Sequence, residues 1–457
     1  MSRRHPSSLA HTVRFSRPQV LSLSVLTGTL VLTGCSGPGS EIDSSGTAPT
    51  DVSTDVASSE VTLRMFDGAG LTALDEAQIA AFEEQNPNIT IELTTEPDEV
   101  MSTTLPRVLA SEDPACIHRV GTLESHVEDS LLTSLEPYAE AYGWGAIPAS
   151  QLVQYRVNEG GVRGDGDLYA MPSGFVLESW YVNKSTAADL GMSEPPATLA
   201  ELETVLAAAK EAGQTPIMVN NADGGLGHVY QFLLNYYMGA EATNEWIFRT
   251  PGATIDSPEG IQAAQTLTDW IDAGYFNEDA NAVDGQQALG RFMAGESVFL
   301  PSGNWNAGPI QQNMADNAGF FLAPPVEAEA AHVAQSNAAS PFGIPANCKN
   351  KNEAAAYLNF LRSDEARQSA LDNGYLPLGE ASEASAQPTT EGVLADVQAA
   401  FTQLAEDDGV VDFVQNATPG LQSNAWTPEG QGLFAGEITA EEFVSNIQAV
   451  YEEEIGR

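Results

Sequence analysis

From residue 61 the chain alternates apolar and polar residues, turns into a helical pattern, and then alternates again. This order restricts it to folds built on a parallel sheet. Val61, Leu63 and Met65 alternate with Thr62 and Arg64, the period of two that buries one face of a strand. Phe66-Asp67-Gly68 leads into a segment whose Leu71, Leu74, Ile79 and Phe82 share one helical face; Asn86-Pro87-Asn88 stops it, and Ile89, Ile91 and Leu93 alternate as the next strand. Two strands joined through a helix run parallel, because a tight turn can only reverse the chain. The alternation returns with helices expected near residues 199–212, 261–273 and 353–363, separated by short apolar runs at 216–219 and 297–300. The fold class is therefore α/β. Thr198 and Glu201 stand at the spacing of a reciprocal capping box, and Gly and Pro clusters punctuate residues 160–167, 301–303 and 341–345.

Ahead of this region lies a leader with Arg3, Arg4, Arg14 and Arg17 and no acid, then a mostly apolar run over 20–32, too short to remain as a membrane span. It ends in Leu32-Thr33-Gly34-Cys35, which resembles the bacterial lipobox. The resemblance implies removal of residues 1–34 as a signal peptide after general secretion, and a diacylglyceryl group on Cys35. Residues 35–59 are rich in Ser, Gly, Thr and Asp without an apolar period and read as a flexible tether reaching roughly 27 Å.

The chain has 457 residues with 63 acidic against 18 Lys and Arg, a formal net charge of −45. Acids are spread throughout, which excludes nucleic acid as a partner, since phosphate binding requires the opposite sign. Besides Cys35, only Cys116 and Cys348 remain, and one disulfide or two buried thiols are both compatible with the spacing. No metal centre is expected, because His118, His126 and His228 lack partners at ligand-like intervals. No G-x-S-x-G elbow, phosphate loop, H-E-x-x-H helix or C-x-x-C pair occurs, so neither a catalytic residue nor a cofactor is assigned. Asp223-Gly224-Gly225-Leu226-Gly227 and Gly164-Asp165-Gly166-Asp167 read as plain turns.

Aromatic residues stand beside small polar ones in Phe66-Asp67, Ser173-Gly174-Phe175, His228-x-Tyr230, Asn304-Trp305, Asn373-Gly374-Tyr375 and Asn424-x-Trp426. This pairing suits a sugar, whose C–H face packs on a ring while its hydroxyls meet planar amides and carboxylates. Trp144 and Trp270 are assigned to the core instead.

The chain resembles the extracellular solute-binding proteins of carbohydrate ABC importers, the family that includes the maltose-binding protein. The likeness rests on pieces in family order: residues 110–114 (Ala-Ser-Glu-Asp-Pro), 168–172 (Leu-Tyr-Ala-Met-Pro), 180–184 (Trp-Tyr-Val-Asn-Lys), Leu190-Gly191 with Pro196-Ala197-Thr198, 292–296 with Gly303-Asn304-Trp305, 342–345, and 350–354. Val182 departs from the tyrosine many relatives carry there, as does Ala115-Cys116-Ile117 from their usual run. The resemblance implies a two-lobe fold with hinge strands crossing between lobes around a central cleft: 60–174 with 341–386 form one lobe, 175–340 with 387–457 the other. It further implies a monomer on the outer face of the cytoplasmic membrane, held by the lipid anchor, passing a carbohydrate to the transmembrane subunits of a permease. Neighbouring antiparallel strands would bring Cys116 and Cys348 together as a disulfide. Asp67, Glu124 and Ser125, beside Phe66, would line one rim; Gly174 and Phe175 the crossing; His228, Tyr230, Asn304, Trp305 and Trp426 the opposite wall; and Tyr375 the hinge. Asp67 and Glu124 would accept hydroxyls, with Trp305 and Trp426 as stacking platforms. A polyamine or other small cation on the same scaffold, and a secreted glycoside hydrolase, are the competing readings.

Overall fold

A computed structural model describes residue 49 and residues 51–456, except 57, 59, 69–70, 97, 122, 329, 380–390 and 419. The leader, Cys35 and most of the expected tether lie outside the described residues, as does the stretch around 386 where the second lobe is expected to resume.

The alternating segments form strands: β1 (Val61–Gly68), β2 (Ile89–Glu96), β3 (Ile117–Arg119), β4 (Arg156–Val157), β5 (Asp167–Leu168), β6 (Met171–Pro172), β7 (Phe175–Asn183), β8 (Thr215–Ile217), β9 (Ser297–Gly303), β10 (Ala318–Phe321), β11 (Ala334–Ala338), β12 (Pro341–Gly343) and β13 (Val410–Val411). The first sheet has the order β2-β1-β3-β12-β6, and the second β13-β11-β7-β9-β8 with β10 also on β7. β1 pairs in parallel with β2 from Val61↔Ile89 to Gly68↔Glu96, through the helix Thr72–Gln85, as the alternation requires. That helix buries Phe82 between Tyr357 and Phe360, at ring-centroid distances of 5.3 and 5.5 Å.

β7 shows why the second sheet is apolar on both sides. Phe175, Leu177 and Tyr181 enter one cluster with Phe292, Phe320 and Phe401, while Trp180 and Val182 enter another with Phe232, Leu267 and Phe299. Odd and even residues thus serve opposite faces, each covered by helices. Trp144 and Trp270 are buried as expected.

Two crossings join the sheets where β6 runs into β7 and β11 into β12. They are laced together: the Ser173 N–H donates to the Ser340 carbonyl (2.9 Å) and the Ala339 N–H to the Gly174 carbonyl (2.8 Å). A third strand of chain joins them, with Leu376 and Phe175 exchanging backbone bonds of 3.0 and 2.7 Å.

β3 and β12 are antiparallel with Arg119 opposite Phe342. This register brings Cys116 and Cys348 to a Cα separation of 5.1 Å, and they form a disulfide.

Two expectations need correction. Order begins before residue 60, because Val56 is buried and Val52 packs on the first-sheet core, with the Ser53 N–H donating to Asn352 Oδ1 at 3.1 Å. At Thr198 the hydroxyl accepts from the Glu201 N–H (3.2 Å), but the Glu201 carboxylate reaches one residue further back, to the Ala197 N–H (2.8 Å). The reciprocal capping box is found at Thr439 and Glu442 instead.

Candidate functional site

The parallel strands β1, β2 and β3 end on one edge of the first sheet, and β8, β9, β11 and β13 end together on one edge of the second. The crossings leave and enter at these carboxyl ends, so the two edges face each other. Carboxyl ends are where open α/β sheets gather ligand contacts, because the loops leaving them converge there. Between them lies a cleft of about 520 Å³ lined by Arg119, Gly121 and Glu124 from one side and Asn337, Ala338, Asp412, Gln415, Asn416, Thr418 and Gln422 from the other, with Gln154, Tyr155, Arg163, Arg249 and Pro341 completing it.

Four of the five charged lining residues form one connected cluster. Glu124, on the short helix Leu123–Glu128, lies 2.9 Å from Arg163 Nε and 3.2 Å from Arg249 Nη2. Arg163, in the loop between β4 and β5, also meets Asp412 at 2.9 Å, and its guanidinium carbon stands 5.0 Å above the Phe248 ring. Burial works against charge on Arg163, but Glu124 and Asp412 outweigh it and raise its pKa. Arg119, at the end of β3, approaches Asp67 at 3.8 Å.

Asp67 itself is fully buried. Its Oδ1 accepts from the Gly68 N–H at 2.6 Å and from the Ser340 hydroxyl at 2.7 Å, tying β1 to the crossing. Asp75 lies against it. Burial, then the charge of Asp67, push the Asp75 pKa up to about 9, so the pair holds a proton at neutral pH. A carboxyl whose folded pKa exceeds its unfolded value near 3.8 lends stability that is complete below that value and is lost as pH rises through about 9. His118 and His126 are depressed by burial and act in the opposite sense, on the acid side of pH 6.5; His228 is raised and loses its contribution above it. Between pH 7 and 9 stability should therefore fall by up to about 1.4 kcal/mol per pH unit from this proton. Urea unfolding of Asp75→Asn over this range should show a clearly shallower fall. Equal slopes for variant and parent would exclude a shared proton.

Of the residues expected to bind, the structure brings Glu124 to the cleft, with Asp67 behind Arg119 and Ser125 exposed on the same short helix. Phe66 is half-buried against the His118 ring, and Tyr375 is half-buried beside Leu71, Leu74, Ala339 and Ala370. Trp305 follows β9 at its carboxyl end and is 48% exposed, its ring lying so close over Gly303 that a Cβ there would meet it at 1.9 Å. Gly174 lies in the crossing.

Others lie elsewhere. Trp426 and Tyr230 are fully buried in the core of the second sheet, 5.8 Å apart, so neither offers a ring face to a ligand; Trp426 fits because Gly227 has no side chain to oppose its indole. Phe175 does begin β7 at the crossing, where it exchanges backbone bonds with Leu376, but its ring is buried against Phe401. Asn304 is committed to the hinge, accepting from the Leu177 N–H (2.9 Å) and donating to the Gly374 carbonyl (2.6 Å). His228 is half-buried, 2.9 Å from Glu178, which overcomes the effect of burial and raises its pKa.

Sequence reasoning missed the arginines and the amides of residues 415–422. The available signal was scarcity: with only 18 basic residues against 63 acids, each arginine is informative.

Among the described residues no helix is long and apolar enough to cross a membrane, and no cluster of three or more potential metal ligands occurs. A protein of Brucella abortus (strain 2308) named as a binding protein is 24% identical over 310 residues, 66% of this chain and 71% of the relative. A chitin oligosaccharide binding protein superposes with a TM-score of 0.67 at 19% identity, covering 87% of this chain and 100% of the other. RafE in complex with raffinose does so with 0.65 at 18%, covering 86% and 99%. These likenesses match the two-lobe architecture seen in the paired sheets. Residues 68–368 match the model of the bacterial extracellular solute-binding proteins, and the chain belongs to that family.

Proposed function

We propose that this protein captures a sugar or oligosaccharide outside the cell and delivers it to the permease of an ABC importer, without catalysis of its own. The observation that carries this reading is the composition of the cleft: Gln154, Asn337, Gln415, Asn416 and Gln422 supply planar amides, and Tyr155 and Thr418 supply hydroxyls. Such groups each donate and accept, as sugar hydroxyls require. The chitin oligosaccharide and raffinose proteins of the same fold support it. A polyamine is disfavoured by the three guanidinium groups in the same cleft.

The lobes would comprise residues 60–174 with 341–386 and 175–340 with 387–457. Lobe closure needs contacts from both, because a ligand shifts an equilibrium only by its differential affinity for the two states. Trp305, Phe66 and Tyr375, which lie outside the lining of that cleft, would be the rings that stack, in preference to the buried Trp426 and Tyr230. Cys35 would carry the lipid.

Titration calorimetry of the purified protein against neutral oligosaccharides, uronates, polyamines and amino acids tests the reading. Binding to sugars is expected, weakened about tenfold or more in Trp305→Ala because a stacked indole contributes on the order of 2 kcal/mol. Heat with polyamines alone, or steady release of product from chromogenic glycosides, would overturn it.

A further inference from the structure

Trp305 is the one large apolar side chain left exposed among the described residues, and it has polar company. β7 and β9 pair with Glu178 opposite Gly303. Residues directly opposite in an antiparallel pair project from the same sheet face, with about 5 Å between their Cβ positions. A Cβ on Gly303 would collide with the six-membered ring of Trp305, so the indole occupies the place that a side chain at 303 would take. The Glu178 side chain therefore rises from the sheet beside the Trp305 ring.

The face they share is the one covered by the helix Gly225–Met238, where Trp180 meets Phe232 and Phe299. His228 sits near the start of that helix and reaches the same spot. Its Nδ1 lies 2.9 Å from Glu178 Oε2, and its ring meets the Phe413 ring edge-on at 6.1 Å. The Glu178 side chain is 5% exposed and that of His228 19%, so the carboxylate is sunk in the wall while the imidazole keeps an open edge. Trp305, Glu178 and His228 form a row near the carboxyl end of β9, and none of them lines the cleft around Arg163.

An indole offers a sugar its face, and the hydroxyls at the edge of a stacked ring need polar partners close by. With Nδ1 committed to Glu178, the imidazole has Nε2 left for a ligand, a donor when the ring is charged and an acceptor when it is neutral. Burial works against the imidazolium, but Glu178 outweighs it and raises the pKa above 6.5. Other charges on the surrounding elements are engaged elsewhere. The helix Gly225–Met238 carries no further charged residue, Asp412 beside Phe413 is turned to Arg163, Asp223 ahead of the helix accepts from the Gly285 N–H, and Lys184 just beyond β7 meets Asp396.

We infer that Trp305, His228 and Glu178 form a second sugar subsite, in which a pyranose stacked on the indole takes a hydrogen bond from His228 Nε2, with Glu178 as the positioning residue, so that affinity depends on pH. This rests on the carbohydrate reading above and adds a site to it. A charge-assisted hydrogen bond is about twice as strong as a neutral one, so binding is tightest while His228 is charged and weakens as pH rises through its pKa. The test titrates raffinose, chitin oligosaccharides and the neutral oligosaccharides of the screen above by calorimetry between pH 6 and 9, and follows the His228 ring resonances by NMR. For a sugar that binds, the dissociation constant is expected to rise about fivefold or more across this range, and saturating sugar should move the His228 titration to higher pH. Glu178→Gln should shift the whole profile to lower pH, a change that lost packing alone would not produce, and His228→Gln should flatten it, both read on protein shown to be folded by circular dichroism. The parent protein decides the matter by itself. A sugar bound equally well from pH 6 to 9, or a His228 titration in the free protein centred below 6.5, would overturn the subsite and leave the carbohydrate reading standing. If no sugar bound at any pH, the carbohydrate reading would fall and this one with it.

Discussion

Trp426→Ala is expected to lower the unfolding free energy by about 3–5 kcal/mol, the cost of removing a large aromatic from a packed core. The indole is fully buried, 5.8 Å from the Tyr230 ring and directly over Gly227, so its loss leaves a void that neighbouring helices cannot close without moving. Trp426→Phe should be milder, since it keeps most of the packing and removes an indole N–H that is buried without a hydrogen-bond partner among the described residues. Trp305→Ala is the contrast: an exposed ring, outside any core cluster, whose loss should lower the unfolding free energy by less than about 1 kcal/mol while weakening sugar binding. The pair separates packing from recognition. A Trp426→Ala protein as stable as the parent, with lost sugar binding instead, would return that residue to the ligand.

Why the sequence suggested otherwise is instructive. The pattern Asn424-x-Trp426 places a polar residue near an aromatic, but residues 422–426 form a π-helical turn in which Asn424 faces out, to Glu454, while Trp426 faces in. His228 and Tyr230 diverge in the same way, two positions apart in the helix Gly225–Met238. Adjacency in sequence says which residues share a loop, not which face of it they occupy. The strands were readable because a period of two already encodes which face is buried; β1, its helix and β2 followed directly. The disulfide needed the resemblance, since a separation of 232 residues carries no local signal. The arginine cluster had neither aid: Arg163 meets Asp412 across 249 residues, a contact created only when the lobes assemble.

That cluster carries the second large effect. Arg163→Met is expected to destabilise the protein by about 3 kcal/mol, toward the lower end of the range for removing one partner of a buried ion cluster. The lower end applies because the orphaned acids keep some company: Glu124 retains Arg249, and Asp412 retains the Phe413 N–H at 2.7 Å and Asn416 at 3.1 Å. Urea is the denaturant of choice, since guanidinium chloride would screen the charges under study. Arg163→Lys should recover less than half of the loss, because an ammonium cannot address Glu124 and Asp412 from two edges of one plane. Neutralising the acids as well, in Glu124→Gln/Arg163→Met/Asp412→Asn, should restore most of it, since the cost lies in buried charge left unpaired rather than in the pairing itself. Glu124 stands on the first-sheet side and Asp412 follows β13 on the second, so the same cluster reports on lobe separation. If Arg163→Met cost under about 1 kcal/mol, the value of an exposed ion pair, the cleft would be open to water in solution and its arginines hydrated before any ligand arrives.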